Sequence, residues 1–254
     1  MNKPVVVIGI GEIGSVFARG FMKLGYPIVP VTREMDLSIV AAEVVAPELV
    51  VVAVAEKDLQ ATLKQIPDVW CDRLVLLQNE LLPRDWQPFG FDHPTVISVW
   101  FEKKKGMDSK VVIASPAYGP HAALLKEVLA TLDIPVRELG SESELLFELV
   151  LKNLYILTTN IAGLECGGNV RDLWFEHNDL ACDVADDVLD IQESLIGRKL
   201  DRRALMEGLL AAFDGDPDHG CMGRSAPARL QRALAIAAEA GVSVPVLQRI
   251  SRRG

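Results

Sequence analysis

The first fifteen residues constrain this chain more than any other stretch. Residues 5–10 are a β-branched apolar run, and Gly9-Ile10-Gly11-Glu12-Ile13-Gly14 completes a G-x-G-x-x-G that opens a helix-like pattern over residues 12–24. The three glycines have separate mechanical duties: a tight turn at Gly9, close approach of backbone to a pyrophosphate at Gly11, and helix-to-strand packing at Gly14. The helix start then offers unpaired N–H groups and a positive dipole end to phosphate. A glycine-rich turn can be purely structural. Its place here, after one strand and before another, favours dinucleotide binding on a parallel sheet with helical crossovers.

The rest of the first half fits that architecture. Further strand candidates are residues 27–33, 49–54, 74–79, 95–101, 110–115 and 134–140, and helix-like spacing occupies 57–66 and 119–132. Residues 80–94 carry Pro83, Pro88 and Pro94 and read as a long loop. After Gly140 strand signals stop. Helix-like stretches follow: one opened by Ser141 or Ser143 as a cap and running to a stop at Gly167-Gly168, then 170–196 ending at Gly197, 201–213 from the capping candidate Asp201, 226–240 ending at Gly241, and 243–252. The expected fold class is an α/β Rossmann domain, a mostly parallel doubly wound sheet over residues 1–140, followed by an all-α domain over 141–254 for substrate and dimerisation.

Composition narrows the function classes. The 254 residues are 50% hydrophobic and 24% charged, enough for a substantial core, and the net charge of −9 argues against nucleic acid as a partner. Cys71, Cys166, Cys182 and Cys221 lie far apart without a C-x-x-C pair, which suits a reducing cytoplasmic location and neither a disulfide framework nor a zinc knuckle. The apolar start lacks the flanks of a signal peptide, and no uncharged run reaches the roughly 20 residues of a membrane span, so no membrane partner is expected.

The end of the second strand bears on which dinucleotide binds. An acidic residue there holds the ribose hydroxyls of NAD, and a basic one holds the extra phosphate of NADP. The chain reads Thr32-Arg33-Glu34. Arg33 can lay its guanidinium on a 2′-phosphate with Thr32 donating a hydrogen bond, which favours NADP(H) over NAD(H); a solvated Arg-Glu pair is the alternative.

Residues 145–164 are apolar nearly all round, which marks a buried helix and makes its polar residues informative. At about 100° per residue, Glu148, Lys152 and Thr159 fall within about 40° of one another and Asn160 about 80° from Lys152. An exposed Glu148-Lys152 pair is one reading of that stripe.

Taken together, Gly9 to Gly14, Arg33 after the second strand, Asn79 ending a strand, Lys152 and Asn160 in a K-x7-N, and residues 218–224 followed by a terminal helix give the chain its resemblance. It is similar to the ketopantoate reductases, within the group that shares a 6-phosphogluconate dehydrogenase-like C-terminal domain, and the resemblance covers nearly the whole chain. It implies that NADPH gives a hydride to the carbonyl carbon of a 2-oxo acid while Lys152 protonates the forming alkoxide. It also implies that Asn160 orients substrate or lysine and that Asn79 lines the cofactor pocket. A cationic donor there stabilises the transition state more than the ground state, because the carbonyl oxygen gains charge as hydride arrives. The family pattern has an asparagine where this chain has Ile156, a lysine at Ala55, a glutamate near Ser225 and a serine at Cys221. Those changes alter substrate recognition and leave the proton donor in place.

The function this predicts is an NADPH-dependent reductase of a small 2-oxo acid or related carbonyl. A non-catalytic NADP(H) sensor on the same fold, or a reductase of an imine, are the alternatives. His219 and Arg224 are weaker substrate candidates beside Cys221, and a homodimer is compatible with the apolar second domain. Asp179, Asp183, Asp186, Asp187 and Asp190 read as a solvated helix face and no metal site is expected; Lys103 to Lys105 read as a solvated turn.

Overall fold

The computed structural model describes residues 2–253, and the chain separates into two compact units, residues 1–149 and 150–254. The first is built on a sheet whose strands run, in chain order, β1 (Val5–Ile8), β2 (Ile28–Val31), β3 (Val50–Val52), β4 (Leu74–Leu76) and β5 (Thr95–Ile97), all mutually parallel. A short antiparallel pair, β6 (Phe101–Glu102) with β7 (Lys110–Val111), stands apart from it. β8 (Ser115–Tyr118) returns antiparallel to β5, and β9 (Val136–Glu138) runs parallel to β8. The spatial order is β2-β1-β3-β4-β5-β8-β9. The order reverses at β1, whose neighbours are β2 on one side and β3 on the other, and ligands of open α/β sheets bind outside the carboxyl ends of strands at such a reversal.

Composition of each strand explains its place. Val5, Val6 and Val7 have no exposed surface, as a central strand covered on both faces requires. Pro30 in β2 cannot donate to a ladder, and β2 is at the sheet edge, where Pro30 is exposed. Helix α1 (Glu12–Lys23) and helix α4 (Ala122–Ala130) cover one face with Phe17, Phe21, Leu125 and Leu129. They pack closely at Gly20, where an added Cβ would stand 2.7 Å from a Val128 methyl. Between them in the chain lie α2 (Leu37–Glu43) and α3 (Leu59–Leu63).

Two strand expectations are corrected. The run 95–101 ends its sheet pairing early: Trp100 is fully buried, its N–H is satisfied by Ser115 Oγ and its carbonyl by the Val112 N–H. The run 110–115 likewise divides between β7 and β8, which extends to Tyr118. Helix α2 was missed because Ile39 and Val40 are β-branched; Asp36 caps it by accepting from the Ser38 N–H at 2.8 Å. Residues 80–94 are irregular apart from two three-residue helical turns.

Helix α5 (Glu142–Cys166) runs unbroken from the first unit into the second. It is the one described helix long and apolar enough to cross a membrane, and 83% of its most apolar window is buried. The second unit continues with α6 (Val170–Glu176), α7 (Asn178–Ile196), α8 (Arg202–Gly215), α9 (Ala226–Ala240) and α10 (Pro245–Ser251), so an all-α domain follows the sheet domain as expected. The stretch 170–196 breaks at His177 into two helices, the first opened by a reciprocal Asn169–Asp172 cap. The acidic stripe on α7 is not solvated throughout. Asp187 is buried, and its Oδ2 accepts the Val246 and Leu247 N–H groups at 2.9 and 3.0 Å, capping α10.

Candidate functional site

In the first unit the candidate residues gather at the carboxyl ends of β1, β2, β3 and β4. The turn after β1 is held by the Gly9 N–H donating to the Val31 carbonyl at 2.9 Å and the Ala53 N–H donating to the Ile8 carbonyl at 2.7 Å. Gly9 has φ +90°, and a Cβ on it would meet the Ala53 carbonyl oxygen at 2.7 Å. At Gly14 a Cβ would meet the Gly9 carbonyl oxygen at 2.0 Å. Only glycine fits either position, so the helix starts pressed against the β1/β3 reversal.

Gly11 is different. It is exposed, and nothing lies within 4 Å of where its Cβ would be. No side chain caps the start of α1, so its first-turn N–H groups are left without a side-chain acceptor. The geometry fits a pyrophosphate laid across Gly11 at the positive end of the helix. Ile10, 39% exposed, offers an apolar surface beside it, and Glu12 lies 3.8 Å from the Lys103 ammonium. That contact makes Lys103, the least exposed residue of the 103–105 run, part of the turn's surroundings.

Thr32 and Arg33 follow β2 directly and are exposed in a turn closed by the Met35 N–H on the Thr32 carbonyl at 3.1 Å. No ion pair involving Arg33 or Glu34 occurs among the described residues. Asn79 is half-buried after β4, and its Nδ2 donates to Glu56 Oε1 at 3.0 Å. Glu56, beside Ala55 at the end of β3, was not among the residues read from the sequence. Next to it, Gln78 is buried and its Nε2 donates to the Val52 and Val54 carbonyls, tying the ends of β3 and β4 together.

In the second unit, α5 carries Lys152 and Asn160 on neighbouring faces. The Lys152 ammonium lies over the Tyr155 ring, 5.6 Å from its centroid. Tyr155 also meets Phe213 edge-on at 5.8 Å and the His219 ring at 6.0 Å. Ile156 is buried, and Asn153 is turned onto α7, where its Nδ2 donates to Gln192 at 3.0 Å. Glu148 bonds to Arg137, so the carboxylate of the stripe has a partner from β9.

The 216–221 segment is fastened to the link between α5 and α6. The Val170 N–H donates to the His219 carbonyl, the Arg171 N–H to the Pro217 carbonyl and the Cys221 N–H to the Gly168 carbonyl. His219 also lies 3.6 Å from the buried Asp216 carboxylate. Cys221 is fully buried against Gly163, where a Cβ would come within 2.9 Å of the Cys221 backbone. Burial pushes its thiol up to about 12, so it is a neutral packing group at ordinary pH. Arg224 is exposed.

Arg229 is a second residue that sequence reasoning missed. It is buried in α9, and its Nη1 donates to Asn160 Oδ1 at 3.0 Å. A signal existed: the buried residues of α9 include Ala226, Arg229, Leu230, Ala233 and Ala237, a helical spacing that puts Arg229 on the apolar stripe.

No protein-family model matches the chain, and no curated protein matches it in sequence. Solved structures do match. The 2-dehydropantoate 2-reductase from Methylococcus capsulatus is similar with a TM-score of 0.70 at 12% identity, over 98% of this chain and 95% of that one. A dimeric ketopantoate reductase from Staphylococcus aureus has a TM-score of 0.65 at 14% identity, over 98% and 96%. D-Mandelate dehydrogenase, solved in complex with NADH, has a TM-score of 0.68 at 11% identity, over 98% and 96%. At such identities the likeness is one of fold. The chain shares its fold with these solved reductases and the dehydrogenase over nearly its whole length.

Proposed function

We propose that this protein is an NADPH-dependent reductase of a small 2-oxo acid or related carbonyl. The observation that carries the reading is the turn at Gly9–Gly14, closed where Gly9 and Gly14 pack and open at Gly11, on a fold shared with ketopantoate reductases. The open face of Gly11 and the uncapped start of α1 hold the pyrophosphate, and Arg33 takes the 2′-phosphate that separates NADPH from NADH. The fold's occurrence with NADH in D-mandelate dehydrogenase makes the Arg33 contact the deciding one.

When bound, the reduced nicotinamide supplies a hydride to the carbonyl carbon. Lys152 gives its proton to the oxygen as charge builds there, and Asn160 holds an oxygen of the substrate in place. The Tyr155 ring under the ammonium limits its rotamers, which keeps the donor near one position. Asn79, bonded to Glu56, lines the cofactor's approach.

The test is NADPH oxidation against a panel of 2-oxo acids, aldehydes and cyclic imines. Lys152→Ala is expected to lower kcat on the active substrate by about 100-fold or more, the range of a lost general acid, with the NADPH Kd unchanged. Retained turnover in the variant removes Lys152 from the mechanism. NADPH binding with no turnover anywhere in the panel favours the non-catalytic sensor, and turnover only on imines changes the substrate class.

A further inference from the structure

Asn160 and Arg229 come from helices far apart in the sequence, yet they meet in a buried contact whose polarity has one solution. Arg229 Nη1 donates to Asn160 Oδ1 at 3.0 Å, and a guanidinium has only donors. On the other side of the carboxamide, Asn160 Nδ2 lies 3.4 Å from Thr159 Oγ1, and that hydroxyl spends its proton on the Tyr155 carbonyl at 2.8 Å. Rotating the Asn160 amide by half a turn would set N–H against N–H at Arg229 and lone pair against lone pair at Thr159. The oxygen therefore faces Arg229, and the NH2 keeps a hydrogen for a ligand.

The contact is also rigid. Arg229 sits in the first turn and a half of α9, its N–H bonded to the Ser225 carbonyl at 2.9 Å, and the chain before it is seated at Gly163 through Cys221. Asn160 and Arg229 are 8% and 9% exposed, so water screens their bond weakly.

We infer that Arg229 is a positioning residue that fixes Asn160 as a hydrogen-bond donor, and that the site thereby selects substrates presenting an acceptor oxygen, a carboxylate or keto oxygen, over those presenting an N–H. The inference rests on the proposed reductase reading and deepens it, because it names the residue that sets which atom of the Asn160 amide meets the substrate. A donor facing a donor leaves a buried polar group unpaired, the kind of mismatch that gives strong discrimination.

The experiment uses the full chain with NADPH and the best 2-oxo acid of the panel, in a cycle of Arg229→Met, Asn160→Ala and the double variant. Arg229→Met is expected to lower kcat about 10-fold or more with the NADPH Kd unchanged, Arg229→Lys to restore most of it, and the double variant to match Asn160→Ala alone. A double variant worse than Asn160→Ala by the full Arg229→Met factor overturns the inference, since Arg229 would then act independently of Asn160. If Arg229→Met does not fold, Asn160→Asp decides: it keeps a partner for Arg229 and lacks the NH2, so it should retain the wild-type Tm and lose kcat, whereas wild-type kcat overturns the inference. Absence of turnover by the wild type sinks the reductase reading alone. The positioning role is then read from oxamate binding to the NADPH-loaded protein: weakening by Arg229→Met that vanishes in the Asn160→Ala background supports it, and equal weakening in both overturns it.

Discussion

A methyl group added at Gly11 and one added at Gly14 should have opposite consequences, although the two residues share one turn. At Gly14 the Cβ would meet a carbonyl oxygen at 2.0 Å, so Gly14→Ala must displace the helix from β1 and is expected to cost about 1–3 kcal/mol of stability, read as a fall in Tm. At Gly11 the space is open, so Gly11→Ala should leave Tm unchanged and weaken NADPH by about 10-fold or more, because the methyl would enter the space proposed for the pyrophosphate. Equal effects on Tm would remove the distinction between a packing glycine and a ligand glycine. Arg33→Ala is expected to weaken NADPH by about 10-fold or more and NADH little, the loss of one charge-assisted phosphate contact, as titration of each by fluorescence would report. The glycine turn was legible in the sequence because a turn after a strand is a local feature. Arg229 was not, because its significance depends on Asn160, 69 residues away.

At the scale of elements, capping and loop closure carry much of the helical unit. The connection from α7 to α8 is closed on Glu193, which accepts from Arg202 Nε and Nη2 at 3.0 and 2.8 Å, from Lys199 Nζ at 2.7 Å and from the Leu200 N–H at 3.2 Å. Arg202 and Lys199 beside it hold the Glu193 carboxyl at about 2, well below the ordinary carboxylate range. A carboxylate lowered on folding stabilises the native state above its unfolded pKa, and that contribution disappears as pH falls toward the folded one. Glu193→Gln should therefore be less stable than wild type at pH 7, by about 1–2 kcal/mol because Lys199 is solvent-screened, with the gap narrowing below about pH 4.5 and closing near pH 2. Denaturant titrations at several pH values test this; a gap independent of pH would assign the loss to packing. The element boundaries themselves were readable where periodicity was long, as in α5 and α9. They failed at β7 and β8, where a buried tryptophan and a serine side chain decide which residues join the sheet.

For the molecule as a whole, local stability should be uneven. Lys104 and Lys105 lie in the exposed turn between β6 and β7, whereas Lys152 is within the unbroken α5 helix. Trypsin is expected to cut first after Lys104 or Lys105 and to spare Lys152 until global unfolding, because proteolysis needs locally opened backbone. Early cleavage at Lys152 would mean that α5 opens independently. The sequence alone determined the glycine turn, the strand-helix alternation of the first half and the helical texture of the second, since each is set by sterics and hydrophobic spacing within a few residues. Tertiary structure decided which polar groups are answered and by whom: Glu148 by Arg137, Asp187 by the start of α10, Asn160 by Arg229. Burying a polar group is costly unless a partner arrives, and the partner comes from a distant segment whose position only the folded chain defines.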